Sequence, residues 1–288
     1  MRGPCGLPAL STPPIFFRSR TMILKRIRPL RAAVATALMA VFLAACYTNP
    51  FTHRRELMLI TPQEEAQLGL NTFNQIKNET PTSTDPAQTD LVQRVGGRIS
   101  AVVDLPYAQW EFVMFREDQT ANAFCLPAGK VGIYTGILPI TQSEAGLATV
   151  MGHEVAHAAA RHGGERMSHA LLVQLGGITL AAALQSKPQQ TQDLALTAYG
   201  VGTALGHSLP HSRQQELEAD QMGLIFMARA GYDPREAISF WQRFKEWSAR
   251  RGGQVPEFLS THPLDTRRIR ELEKHLPEAL AVYQGRNP

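Results

Sequence analysis

Hydrophobic and polar positions recur at helical spacing over most of this chain and at strand spacing in two short stretches. Residues 61–79 read as a helix: Thr61 can cap it, Pro62 suits its first position, and Glu64 and Glu65 fall in its first turn. Residues 81–86, Pro-Thr-Ser-Thr-Asp-Pro, form a turn or linker, and a second helix is expected from about Thr89 to Val103. Trp110–Phe115 and Lys130–Tyr134 carry the aromatic and β-branched residues of strands. From Ser143 to about His162 the pattern is helical and largely apolar. Two apolar segments follow, Ala170–Leu184 and Leu194–Leu205, split by polar residues 185–193. At 15 and 12 residues they are short for membrane spans, and their glycines predict close helix packing ahead of the alternative, a surface that touches lipid. Helices near 212–230, 234–250 and 264–275 complete the pattern, and no internal repeat is visible. The balance predicts an α+β fold, mainly helical with a small sheet.

Charge changes this picture only at the amino terminus. The 288 residues carry a formal charge of +4, from 29 basic and 25 acidic side chains. Seven of the basic residues and none of the acids lie in residues 1–45, so residues 46–288 are net negative, with 22 basic against 25 acidic. That balance argues against a nucleic-acid partner. Residues 1–45 read instead as an export signal: Lys25, Arg26, Arg28 and Arg31 precede the uncharged stretch Ala32–Ala45. Met22 would start a leader of ordinary length. The stretch ends in Leu43-Ala44-Ala45-Cys46, which resembles the lipobox of bacterial lipoproteins. That resemblance implies cleavage before a lipid-bearing Cys46, and Tyr47 in place of Asp favours the outer membrane. Residues 46–60 then follow as a post-anchor segment and 61–288 as the main domain. Cys125 is left without a pairing partner in a mature chain and reads as a small buried hydrophobe.

The chemistry concentrates in His153-Glu154-Val155-Ala156-His157. Four helical residues turn through about 400°, so His153 and His157 share one face and can bind one cation at about 2.0–2.1 Å. Glu154 lies beside them, placed to reach a water at the cation. Val150, Met151, Val155 and Ala158–Ala160 mark a helix built for a core. Two unpartnered histidines and a glutamate there would each cost several kcal/mol, and a cation resolves all three. A third ligand is needed. His162 and Gly163 do not fit the spacing that would supply it from the same helix. Glu216 and Asp220, four residues apart, share a face on a later helix. Glu216 can bind the cation while Asp220 holds a ligand histidine through its other nitrogen. Spacing alone leaves Glu218 open as the rival, although it lies about 200° round from Glu216. His53, His162, His169 and His275 lack partners at ligand spacing, and Pro210 keeps His207 and His211, four residues apart, from sharing a regular helix face.

The paired motif His-Glu-x-x-His and, about 60 residues later, Glu-x-x-x-Asp is similar to that of the gluzincins. Residues 122–138, the stretch from His153 to His162, residues 213–223 and residues 260–269 resemble the HtpX and CAAX-prenyl endopeptidase family. The match covers roughly residues 60–275. The leader places the chain nearest the periplasmic BepA- and LoiP-like lipoprotein branch, although it lacks the carboxy-terminal repeat domain of BepA-type members. The resemblance implies a zincin-type domain and one zinc ion per chain on His153, His157 and Glu216, with Glu154 as catalytic base. It also implies that His262 lies near the metal; Arg268, six residues on, would stabilise the reacting oxygen or pair on a helix surface. Residues 122–134 would form an edge strand of the cleft, so that Asn122, Val131, Ile133 and Tyr134 meet an extended substrate. Polypeptides, misassembled outer-membrane proteins among them, are the implied partners, in the periplasm and at a membrane. The alternatives are a lipoprotein chaperone or scaffold with a structural metal, or an iron site for oxygen chemistry.

Overall fold

The computed structural model describes residues 46–204, 209–250, 256–263 and 266–286. The expected leader, the Cys46 side chain and residue 205 at the end of the second apolar segment lie outside the described residues. Residues 47–288 form one compact unit, which therefore includes most of the segment expected merely to follow an anchor.

A short two-stranded ladder, β1 (Cys46–Thr48) with β2 (Arg55–Leu57), comes first. Helix α1 (Pro62–Glu79) starts as its sequence predicts: Thr61 N–H donates to the Glu64 carboxylate at 2.8 Å, and Glu64 N–H to Thr61 Oγ1 at 3.3 Å. Helix α2 (Pro86–Ser100) begins three residues before the predicted Thr89, because Asp85 caps it and Pro86 suits its first turn.

Three strands follow: β3 (Glu111–Phe115), β4 (Ala123–Leu126) and β5 (Lys130–Tyr134), in the order β3-β5-β4. β5 is central, parallel to β3 and antiparallel to β4. This corrects the expectation of one edge strand over residues 122–134. Pro127, Ala128 and Gly129 turn the chain, the last two in left-handed conformation, and fold the segment into a hairpin. Val131, Ile133 and Tyr134 therefore lie on the middle strand, with Val131 and Ile133 buried. The free edge belongs to β4, with Asn122 directly ahead of it. The outer side of β3 is covered by the 81–83 linker, whose Thr82 bridges to Phe115.

Short helix α3 (Leu138–Thr141) leads to α4 (Glu144–Ala159), which is buried along nearly its whole length. The helix ends three residues before the predicted His162, because Arg161 turns left-handed at φ 56°. The Arg161 guanidinium holds that break by donating to Glu65 and to the Ile60 carbonyl at 2.7 Å. Helices α5 (His162–Leu184) and α6 (Gln189–Thr203) form an arm, joined where Tyr199 fills the space over Gly176 and donates to the Val173 carbonyl at 3.1 Å. The expected packing is thus confined to the inner seam. Leu175, Ile178 and Leu194 stand 57%, 58% and 72% exposed.

Among the described residues, α5 is the one helix long and apolar enough to cross a membrane. Its first turns are buried in the domain at His162, Gly164, Glu165 and Ser168. The outlying residues 170–184 reach about 22 Å against a hydrocarbon core of about 30 Å.

Helix α7 (Leu209–Arg229), α8 (Arg235–Arg250), α9 (Glu257–Thr261) and α10 (Thr266–Tyr283) complete the unit. Phe240, Trp241 and Phe244 of α8 and Phe258 of α9 are fully buried beside the site helices. The fold is α+β and mainly helical. Its decisive contact is the crossing of α4 and α7. A Cβ on Gly152 would lie 2.9 Å from the Gly223 carbonyl oxygen, and one on Gly223 2.9 Å from the His153 nitrogen. Gly152 precedes His153, and Gly223 follows Asp220 by three residues, so backbone contact brings the two motifs face to face. Gly223→Ala is expected to lower stability by about 1–3 kcal/mol in urea denaturation, because overpacking against backbone outweighs the roughly 1 kcal/mol helix-propensity gain of alanine. Unchanged stability would show that the crossing relaxes freely.

Candidate metal centre

The crossing places His153 and His157 of α4 against Glu216 of α7. The Nε2 atoms of the two histidines lie 3.2 Å apart. His153 Nε2 is 3.3 Å from Glu216 Oε2, and His157 Nε2 is 3.4 Å from Glu216 Oε1. His262, at the end of α9, enters from the other side with Nδ1 3.1 Å from Glu216 Oε1 and 3.3 Å from His153 Nε2. Each of the four offers one ligand atom within 4.8 Å of the others. The next residue along α4, Glu154, is also buried, and its Oε1 has no hydrogen-bond partner. Two imidazoles and a carboxylate converging in a buried pocket, beside an unsatisfied carboxylate oxygen, fit a divalent cation.

Local electrostatics follow from this crowding. Burial would raise the Glu216 carboxyl, but hydrogen bonds from His153, His157 and His262 hold it well below the usual range. Burial pushes Glu154 upward, opposed by His262 and His153. Burial acts to lower His153, yet Asp220 and Glu216 raise it to about 9. His157 is driven well below 6.5 by burial.

Asp220 sits behind His153, its Oδ1 3.0 Å from His153 Nδ1. Arg268 of α10 clamps it, Nε and Nη2 each 2.7 Å from an Asp220 oxygen, while Nη1 lies 3.0 Å from Glu216 Oε2. The guanidinium also lies 4.1 Å over the Trp241 ring and is 2% exposed. Arg268 was expected at the reacting oxygen or on the surface. Its donor fork is instead directed at Asp220, with Nη1 on Glu216.

The structure brings His153, Glu154, His157, Glu216, Asp220, His262 and Arg268 together. It separates Glu216 from Glu218: the latter turns away to His162, with Glu218 Oε2 3.0 Å from His162 Nε2. Helical spacing hid His162, which would fall off the ligand face if α4 continued. The left-handed break at Arg161 returns it, so that His162 Nδ1 lies 2.8 Å from His157 Nδ1. Arg54, in the loop before β2, also escaped notice. Its Nε donates to Glu218 at 2.6 Å and its Nη1 to Glu165 at 2.5 Å, with Nη2 2.9 Å from Glu56. Cys125 faces this region from the edge strand, its thiol pushed up by burial and by the Glu154 carboxylate.

The sequence model of peptidase family M48 matches residues 86–276. The chain belongs to peptidase family M48. It is 33% identical to the mitochondrial metalloendopeptidase OMA1 of Saccharomyces cerevisiae, over 82% of this chain and 70% of the yeast protein. The human mitochondrial metalloendopeptidase OMA1 is 31% identical over 82% of this chain and 47% of its own length. The beta-barrel assembly-enhancing protease of Escherichia coli K12 is 29% identical over 72% of this chain and 42% of its own length. The chain thus spans less than half of these last two relatives. Within the M48 family it is a metalloendopeptidase, and the cluster of His153, His157, Glu216 and His262 fits a metal site.

Two tests follow from the electrostatics. Arg268→Lys keeps the charge but loses the bidentate clamp, and metal affinity in chelator competition is expected to fall about 10–100-fold. Glu56, mainly through burial and against the pull of Arg54, is pushed up to about 7 from 4.5. Between those values the folded protein binds a proton that the unfolded chain has released. This contribution to stability is full below about 4.5 and lost as pH rises through about 7. Glu56→Gln should therefore gain stability relative to the parent between pH 5 and pH 8 in urea denaturation. A constant difference would refute the assignment.

Proposed function

We propose that this metalloendopeptidase uses zinc, cleaves extended or misfolded polypeptides of a bacterial envelope, and is held at a membrane through a lipidated Cys46. The convergence of His153, His157 and Glu216 from two crossing helices, with Glu154 beside them, carries the reading. Two histidines and one carboxylate with an adjacent acid suit zinc hydrolysis better than oxygen chemistry on iron. A zinc ion held by these three residues would supply Lewis acidity that lowers the pKa of water toward about 7 and polarises a scissile carbonyl.

The chain's own residues do the rest. Glu154 accepts a proton from the attacking water at its unsatisfied Oε1 and then delivers it to the leaving amine. Burial, which raises its pKa, favours that transient protonation. Asp220 and Arg268 keep His153 and Glu216 in place. The free edge of β4 offers backbone donors and acceptors to an extended peptide beside α4, a mode that demands little of substrate sequence. Asn122, at the start of that edge, accepts from Tyr134 N–H at 3.1 Å and so fixes its end.

His262 caps the ligand set in the resting site, its Nε2 3.4 Å from Glu154 Oε1. The same fourth donor supports a second reading, a chaperone or scaffold whose metal is structural, because structural sites are closed by four protein ligands. Activity separates the two.

The membrane and envelope assignment rests on the basic leader and the lipobox-like Leu43–Cys46, both seen in sequence alone. The Escherichia coli relative, named for enhancing β-barrel assembly, supports misassembled outer-membrane proteins as substrates. The mitochondrial relatives point to another compartment in their own organisms. Palmitate labelling of the expressed protein, lost in Cys46→Ala, tests the anchor.

Glu154→Gln is expected to retain one metal ion by mass spectrometry while losing casein cleavage by about 10²–10⁴-fold. His157→Ala should lose metal and activity together, and His262→Ala should raise basal cleavage. Full cleavage by the metal-loaded Glu154→Gln protein would refute the mechanism. A metal-loaded parent and His262→Ala that are both inert would favour the scaffold.

A further inference from the structure

The two ligand histidines are held from behind by different devices. Behind His153 lies the carboxylate Asp220. Behind His157, among the described residues, no carboxylate is recorded within hydrogen-bond reach of Nδ1. Its Nδ1 meets the Nδ1 of another buried histidine, His162, at 2.8 Å. The far nitrogen of His162 meets Glu218 at 3.0 Å. Glu218 Oε1 in turn accepts from Arg54 Nε at 2.6 Å and from Thr52 Oγ1 at 3.3 Å.

This order of atoms permits one arrangement of hydrogens when His157 binds a cation through Nε2. His157 then carries its hydrogen on Nδ1 and donates to His162 Nδ1, which must accept. His162 consequently carries its own hydrogen on Nε2 and donates it to the Glu218 carboxylate. We propose that His162 and Glu218, secured by Arg54, form a positioning relay that fixes the tautomer and ring orientation of the metal ligand His157. The relay rests on His157 being a ligand, as in the preceding section. It gives a task to two residues that spacing left without one, and it makes the segment just after Cys46 a structural part of the metal centre.

Glu56, His162 and Glu218 also lie close enough together to suggest a second cation site. Arg54 already occupies that role. Its guanidinium spans Glu218, Glu56 and Glu165 at 2.6, 2.9 and 2.5 Å, so a metal ion would have to displace it. The relay therefore accounts for the cluster with the groups in hand.

The experiment uses the full chain, purified in detergent, with zinc affinity measured by competition against a chromophoric chelator. The visible absorption of the cobalt-substituted protein gives a second readout, sensitive to ligand geometry. His162→Leu is expected to weaken zinc binding about 10–100-fold and to change the cobalt bands. His162→Gln, whose amide can accept from His157 and donate to Glu218, should restore affinity to within a few-fold and recover the bands. A side chain needed only for packing would give no such rescue. Should His162→Leu fail to fold, Glu218→Gln, which keeps the shape but not the charge, should still shift the cobalt bands of a folded protein. Parental affinity and bands in every folded variant would overturn the relay, as would two zinc ions bound per chain. If the parent itself binds no zinc, or His157→Ala binds it as well as the parent, the metal-site reading fails rather than the relay.

Discussion

Two glycines set the distance on which the site depends. Where α4 and α7 cross, Gly152 and Gly223 let the backbones touch, and any side chain at either position would meet main-chain atoms at about 2.9 Å. Glu216 lies two helical turns from Gly223, and His153 directly follows Gly152. The reach from a glutamate Cα to an imidazole nitrogen is short, so the ligands converge only because the helices are this close. The crossing also buries charge in quantity. Glu165, Glu216, Glu218 and Asp220 are all buried, each against an arginine. Such carboxylates are tolerable only when paired and hydrogen-bonded. The arginines that accompany them come from opposite ends of the unit, Arg54 before α1 and Arg268 in the last helix. Amino- and carboxy-terminal parts of the chain are thus both committed to the same polar core.

The helices were legible where local chemistry decides them. Thr61, Pro62 and Glu64 announced α1, and the four-residue spacings of His153 with His157 and of Glu216 with Asp220 announced two faces, which the structure brings within ligand distance. Long-range pairing was less visible. The family resemblance implies one strand over residues 122–134, whereas the left-handed pair Ala128-Gly129 makes them a hairpin and moves Val131 and Ile133 to the middle of the sheet. His162 was hidden for a related reason. Its five-residue separation from His157 excludes a shared face only on an unbroken helix, and a single left-handed residue, Arg161, breaks it. Arg54 carries no signal of its link to the site, since Glu218 and Glu165 lie more than a hundred residues away and Glu56 is its one near partner in sequence among those described.

The two sides of the ligand set differ in construction. His153 is backed by a carboxylate that is itself clamped by Arg268, a compact arrangement stacked on Trp241. His157 is backed by an imidazole, then a carboxylate, then the loop that carries Arg54. The second support is longer and draws on three separate segments of the chain.

The apolar arm begins inside this second support, and that has a practical bearing on handling the protein. His162, Glu165 and Ser168 occupy the first two turns of α5, where Ser168 also accepts from the Leu59 backbone at 2.9 Å. The exposed leucines and isoleucine start only at Leu171. A soluble derivative can therefore be sought by bridging from residue 170 to the start of α7, whereas excision of the whole helix would remove part of the polar core along with the greasy surface.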